Sequence, residues 1–394
     1  MRVCLYYIFF WALFAAPLSG QEHEQKNIVQ QIGHYEELYS KILDEKRTLL
    51  IHLPDDYETS VKKYPVLFIL DAENTHLFSQ AVSAANFYSG VRRLPKMIII
   101  GIINTNRTRD ITPAAIKQRK NSGSADNFLK FMAAELIPYI NTTYRAASCR
   151  ILSGGSSAGM FTLYTLFDRP ELFNANIAAR PALNSTEDLT WDSELIFRRA
   201  ESFLAYEPEL KRALYIDYGS QEDALHDPAP IHKLAGIFEQ HPSQGFRWKT
   251  QKTGESGYRS AESLKNGLLW MFKDWYYPAD SLYVNGIEGL KKHAEHLTSQ
   301  FNYSVDAGSL LSEQDFIRFG WRFFEHNMLD EAVLFFNECL KSFPESWTAY
   351  ECLGDVFQKK DMIKSAQKNY EKCLQLNPDN KYAQEMLKKL KAGN

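Results

Sequence analysis

The sequence predicts an α/β domain with a mostly parallel sheet, followed by an all-helical tail. Three observations carry this. Short apolar runs rich in β-branched residues alternate with helix-period stretches as far as about residue 278. A glycine- and serine-rich turn, ILSGGSSAGM at 151–160, separates a strand-like run from a buried, helix-like one. Beyond residue 312 the chain is free of strand runs and matches itself at a shift of 34. Alternating strands and helices imply parallel strands covered on both faces. With 394 residues, 45% hydrophobic and 24% charged, the chain can fill one large or two ordinary domains. A net charge of -3, without any cluster of Lys and Arg interleaved with aromatics, excludes nucleic acid as a partner class.

The elements follow in order. Residues 1–20, MRVCLYYIFFWALFAAPLSG, place Arg2 before a short apolar core and small residues, a signal-peptide pattern with cleavage near Gly20 or Gln21. The apolar run is short for a spanning helix. The mature protein is therefore expected to be secreted or periplasmic, with no transmembrane segment after cleavage. Cys149, Cys339, Cys352 and Cys373 remain; four cysteines in so long a chain read as core thiols, not a disulfide framework. Within a domain spanning 21–280, strands are predicted at 46–53, 64–71, 97–104, 150–153, 175–180 and 213–218. Helices are predicted at 76–90, at 126–140 behind Asp126 as N-cap, and at 159–168.

In the tail the 34-residue shift pairs Phe316 with Tyr350, Gly320 with Gly354, Ala332 with Ala366, Phe336 with Tyr370 and Pro344 with Pro378. That is tetratricopeptide spacing in two copies, 313–346 and 347–380, closed by a capping helix at 381–394. Residues 281–312 are expected to bridge to it as a further helical hairpin. Two repeats are fewer than usually stand alone, so they are expected to pack on the α/β domain. Whether they only cap the fold or also dock a protein partner stays open.

The turn at 151–160 has the setting of a nucleophile elbow, in which a strained strand-to-helix turn lifts a serine above an α/β sheet. Two serines compete for that position. Gly155-Ser156-Ser157-Ala158-Gly159 is a G-x-S-x-G centred on Ser157, whereas the flanking residues favour Ser156. A serine nucleophile needs a base within hydrogen-bond reach and an acid to orient it, in the chain order serine, acid, histidine.

Residues 35–278 resemble the esterase-D-like branch of the α/β-hydrolases, which includes the ferric-siderophore esterases. The resemblance rests on YSKILDEKRTLLIHLPDDY at 39–57, KYPVLFILDAEN at 63–74, IIGIINTNRTRDITP at 99–113, FLKFMAAELIPYINTTYR at 128–145 and RILSGGSSAGMFTLYTLFDRPELF at 150–173. It implies an α/β-hydrolase fold, a small-molecule ester as substrate or ligand, and no cofactor. Laid on the family's elbow without gaps, Ser156 is the nucleophile. The oxyanion donors are the backbone N–H of Ser157 and one from the LDAEN turn, at Ala72 where the family has Gly. The family's acid loop matches ALYIDYGSQEDALHD, which makes Glu222 or Asp223 the orienting acid. The family's catalytic histidine position falls, within GESGYRSAESLKNGLLWMF at 254–272, on Gly257. No histidine lies between His241 and His293. His226 is the candidate substitute base, with His76 behind it. Arg109 and Asp110 read as a structural pair near the site. Metal signatures such as H-E-x-x-H or a paired C-x-x-C do not occur, and no metal is expected. The sequence thus leaves two readings: a serine esterase with an atypical base, or a pseudo-hydrolase that binds a ligand or partner without turning it over.

Overall fold

The computed structural model describes residues 32–116, 119–183, 193–206, 211–219, 227–243, 245–253 and 260–392. Eight strands form one sheet: β1 (His34–Ser40), β2 (Glu45–His52), β3 (Tyr64–Ile69), β4 (Ile98–Ile102), β5 (Ala146–Gly155), β6 (Ala175–Ala179), β7 (Arg212–Tyr218) and β8 (Phe246–Lys252). Their order is β1-β2-β4-β3-β5-β6-β7-β8. β1 and β2 are antiparallel to their neighbours, and every later pairing is parallel. The central strands β3 and β4 are buried at every residue, as expected of parallel strands covered on both faces. This is the α/β-hydrolase-like fold that the family resemblance implies, with the mostly parallel sheet that the alternating pattern predicts.

Helices α1 (Thr75–Gly90), α2 (Arg107–Ile111), α3 (Ala125–Phe131), α4 (Ile137–Thr143), α5 (Ser157–Asp168), α6 (Ser193–Tyr206), α7 (Ala229–Gln240) and α8 (Ser260–Met271) accompany the sheet. α3 and α4 are joined through a π turn, Met132–Leu136, so 125–143 is one helical run with a local bulge. Asp126, expected as its cap, lies inside the first turn, and its carboxylate accepts the Tyr164 hydroxyl. The two sheet faces pack separate cores. On one, Val66, Phe68 and Leu152 meet Phe128, Phe161 and Phe197. On the other, Leu67, Ile69 and Ile177 meet α1 and α8.

The tail comprises α9 (Ala279–Phe301), α10 (Ala307–Leu310), α11 (Glu313–Glu325), α12 (Leu329–Ser342), α13 (Trp347–Lys359), α14 (Ile363–Leu376) and α15 (Lys381–Ala392). In the region expected to bridge as a helical hairpin, α9 consists of two helical runs that meet at a kink at Gly286 (φ 59, ψ -157), and a single turn, α10, follows. Beyond it, α13 and α14 begin and end 34 residues after α11 and α12. The spacing has a steric basis at the two aligned glycines. A Cβ at Gly320 would meet the Phe336 ring at 2.6 Å, and one at Gly354 would meet the Tyr370 ring at the same distance. Only glycine lets these aromatic rings lie against the helix backbone.

The second sheet core continues without interruption through Leu282, Leu290, Phe316 and Phe335 as far as Val356. The tail therefore shares its hydrophobic interior with the sheet, the packing expected of an array too short to stand alone. Cys149, Cys339, Cys352 and Cys373 are all free and buried. Burial pushes the Cys149 thiol up to about 12, which leaves it an inert core group.

Candidate functional site

Because β3 to β8 run parallel, their C-terminal ends share one edge of the sheet, where open α/β sheets bind ligands. β5 ends there in Gly154 and Gly155, and α5 begins at Ser157. Between them Ser156 has φ 55 and ψ -121, a positive-φ backbone on a residue with a side chain. Such a conformation costs roughly 1–3 kcal/mol and persists only where the surroundings over-determine it. Here they do. The Ser156 N–H donates to the Ala179 carbonyl at 2.9 Å, and the Ser156 carbonyl accepts from Met160 at 3.0 Å and Ala182 at 3.1 Å. A Cβ at Gly154 would lie 2.5 Å from the Ala158 carbonyl oxygen, so this sharp turn requires glycine two residues before its apex.

The strained apex is thus Ser156, while Ser157 is the first helical residue. Ser156 is half-buried, and its hydroxyl makes no hydrogen bond with a described residue. The Ser157 N–H heads α5, where amides lack intrahelical acceptors and the helix dipole favours negative charge.

The LDAEN turn lies beside it, after β3, the strand that pairs with β5. Ala72 is buried and its φ is not positive; the positive φ of this turn falls on Asp71, at 60. The Ala72 N–H, the oxyanion donor implied by the resemblance, donates to the Ile102 carbonyl at 3.2 Å. The N–H of Glu73, one residue on, has no acceptor among the described residues. The turn is held by the loop after β4. Arg107 grips both oxygens of Asp71 at 2.8 Å, and the Asn104 amide donates to Asp71 and Glu73 at 2.7 Å each. Two sequence runs, LDAEN and NTNRTRD, therefore meet through their polar side chains.

Arg109 and Asp110 form the expected structural pair within a larger network. Asp110 accepts from Arg109 at 2.7 Å and from Arg47 at 2.6 Å, and both arginines also reach Glu45. Arg47 and Asp110 are fully buried, so each charge depends on the other for compensation.

Sequence reasoning missed Asp217, near the end of β7. It is fully buried and accepts from the Ser263 hydroxyl at 2.6 Å, the Thr253 hydroxyl at 2.8 Å and the Arg180 N–H at 3.0 Å. One carboxylate thus joins the end of β7, the end of β8, the start of α8 and the connection after β6. The available signal was a lone acid in the apolar run ALYIDY.

Burial raises the pKa of Asp217, and its three donors only partly offset this. A carboxyl whose folded pKa lies above its unfolded value contributes stability that is complete below the unfolded value, near 3.8, and is lost as pH rises through the folded one. Asp217→Asn is accordingly expected to be at least as stable as wild type at pH 7, with its advantage shrinking toward pH 3.5. Urea melts of both proteins across pH 3.5–7 check this; an advantage that grows on acidification would refute it.

Glu222, Asp223, His226 and Gly257 lie outside the described residues, as does the signal-like segment 1–20. No described histidine bonds to Ser156 or Ser157. His76 is exposed in the first turn of α1, and His232 packs its ring against Tyr218.

The family model described as "Putative esterase" matches residues 40–262, more than half of the chain. The chain belongs to this esterase family. Among curated relatives of this chain, the siderophore triacetylfusarinine C esterase of Aspergillus fumigatus is 27% identical over 226 residues, 54% of this chain and 68% of that protein. The ferri-bacillibactin esterase of Bacillus subtilis is 26% identical over 161 residues, 36% of this chain and 54% of its own length. The uncharacterized protein YjcH of Bacillus subtilis is 26% identical over 174 residues, 42% of this chain and 64% of its own. The chain thus spans about half to two-thirds of these relatives. In fold it resembles an IroE-like serine hydrolase from Shewanella oneidensis, with TM-score 0.61 and 21% identity, over 87% of this chain and 99% of that one. That coverage exceeds the sheet domain and takes in helices of the tail. No described helix is long and apolar enough to cross a membrane.

Proposed function

We propose that the protein is a carboxylic-ester hydrolase in which Ser156 is the nucleophile. One observation carries this reading: the positive φ of Ser156, a strained backbone held by three hydrogen bonds at the C-terminal edge of a parallel sheet. Glycines stand at 154 and 155, so a merely structural turn could place glycine at the strained position as well. In the proposed reaction the Ser156 Oγ attacks the ester carbonyl carbon while its proton passes to a base. The oxyanion rests on the Ser157 N–H and on a second N–H from the 71–74 turn, either Glu73 or Ala72 after release of Ile102. The alcohol then leaves with a proton, and water hydrolyses the acyl-serine. Glu222 or Asp223 is the proposed orienting acid and His226 the proposed base. Family membership and the named relatives support a siderophore-type or related small-molecule ester as substrate.

The second reading is a pseudo-hydrolase whose pocket, with or without its tetratricopeptide tail, binds a ligand or protein without turnover. Gly257 favours it, standing where the family's histidine would be. Labelling by a fluorophosphonate probe discriminates the two, since only an activated serine reacts. Labelling at Ser156 supports the hydrolase, and an unlabelled, folded protein supports the binding module.

The signal-like residues 1–20 support export to the periplasm or the cell exterior. Amino-terminal sequencing of secreted material is expected to begin near Gly20 or Gln21; a retained Met1 would refute it.

A further inference from the structure

At the opposite edge of the sheet, the N-terminal ends of β5 to β8 meet α8 and α9 around a cavity of about 220 Å³. A water occupies about 30 Å³ of liquid, so the space is that of about seven waters. Ile151, Met271, Phe272 and Phe301 give it apolar walls. Its charged side chains among the described lining residues are the cations Lys211, Arg212 and Arg247, with no Asp or Glu among those described.

The cations differ in what already satisfies them. Lys211 donates to the Ser299 carbonyl at 2.7 Å, and Arg212 donates to the carbonyls of Pro170 and Lys211. Arg247 is half-buried, makes no hydrogen bond or ion pair with any described residue, and has the Trp270 and Phe301 rings 5.8 Å away. The acid whose charge favours it, Asp274, is bonded to Gln300 at 3.0 Å. Burial works against the charge of Arg247 and lowers the pKa of its guanidinium. A partly desolvated guanidinium without a carboxylate bonded to it is disfavoured, and an anion entering the cavity relieves part of that cost.

We propose that this cavity is a binding site for a small monocarboxylate with an apolar body, held by a forked contact from Arg247. The planar guanidinium matches a carboxylate bidentately, and such charge-assisted pairs strengthen away from water. A monoanion fits because only one of the three cations, Arg247, has no hydrogen bond to a described residue, and the walls suit an aromatic or short aliphatic body. The site lies at the far edge of the sheet from Ser156, so its ligand need not be the ester.

The test is calorimetric titration of the mature chain with benzoate and with benzamide, its uncharged counterpart. Benzoate is expected to bind at least about tenfold more tightly, Arg247→Met to lose that preference, and Ser156→Ala to retain it. Should Arg247→Met fail to fold, Arg247→Lys replaces it, with binding expected to weaken several-fold because the fork is lost. Equal binding of benzoate and benzamide, no change in the Arg247 variant, or loss of binding in Ser156→Ala would overturn the proposal.

Discussion

Ser156→Ala is expected to bring hydrolysis of p-nitrophenyl acetate and butyrate down to the buffer rate and to abolish fluorophosphonate labelling. Ser157→Ala should keep both, because the proposed contribution of residue 157 is its backbone N–H, which alanine retains. The size of the loss is itself informative. When a complete triad loses its serine the rate falls by roughly 10⁶, since the members act as a unit. In the proposed site glycine stands at the family's histidine position and His226 takes over as base, so a smaller fall is expected here. Wild-type turnover that matches Ser156→Ala, with neither protein labelled, would eliminate the hydrolase and leave the binding module.

Gly257→His is expected to restore kcat/KM for p-nitrophenyl butyrate in the His226→Ala background, where the proposed base has been removed. A positioned general base contributes typically 10²–10⁴-fold, and a histidine does so near neutral pH because its unperturbed pKa is about 6.5. The pH profile should report the same event. The variant gains an inflection between about pH 6 and 7, and the gain disappears when Ser156→Ala is added. With His226 as the base, the profile of wild type carries that inflection, His226→Ala removes it, and Gly257→His alone adds little. A variant that folds, labels at Ser156 and shows no gain would show that residue 257 does not face the nucleophile.

Much of this architecture was legible in the residues. Apolar runs marked β3 to β7 because parallel strands buried on both faces must be apolar, and the antiparallel β2 was legible from its buried second half, LLIH. The two edge strands escaped the same reading. β1, HYEELYS, and β8, FRWKTQK, carry charges and half-exposed residues, as edge strands do. The 34-residue register located α11 to α14 because aromatic rings packing on Gly320 and Gly354 leave a fixed spacing in the chain. Within α9 the break in the helix falls on Gly286, whose positive φ suits a residue without a Cβ.

At the site, the composition of ILSGGSSAGM announced a strained turn but left Ser156 and Ser157 in competition, since both fit a small-x-Ser-x-small pattern. The fold resolves which serine is strained. Ala179 and Ala182, brought alongside from β6 and the loop after it, bond the backbone of Ser156 and leave Ser157 to begin the helix. The candidate turn residues are thus legible in the local sequence, whereas the choice of Ser156 as the strained apex depends on Ala179 and Ala182 from later in the chain. The roles of Asp217, joined to Arg180, Thr253 and Ser263, and of Arg247, facing a cavity with Lys211 and Arg212, arise only in the tertiary structure. Their meaning lies in which charges are buried and which are paired, and that depends on contacts between segments far apart in the chain.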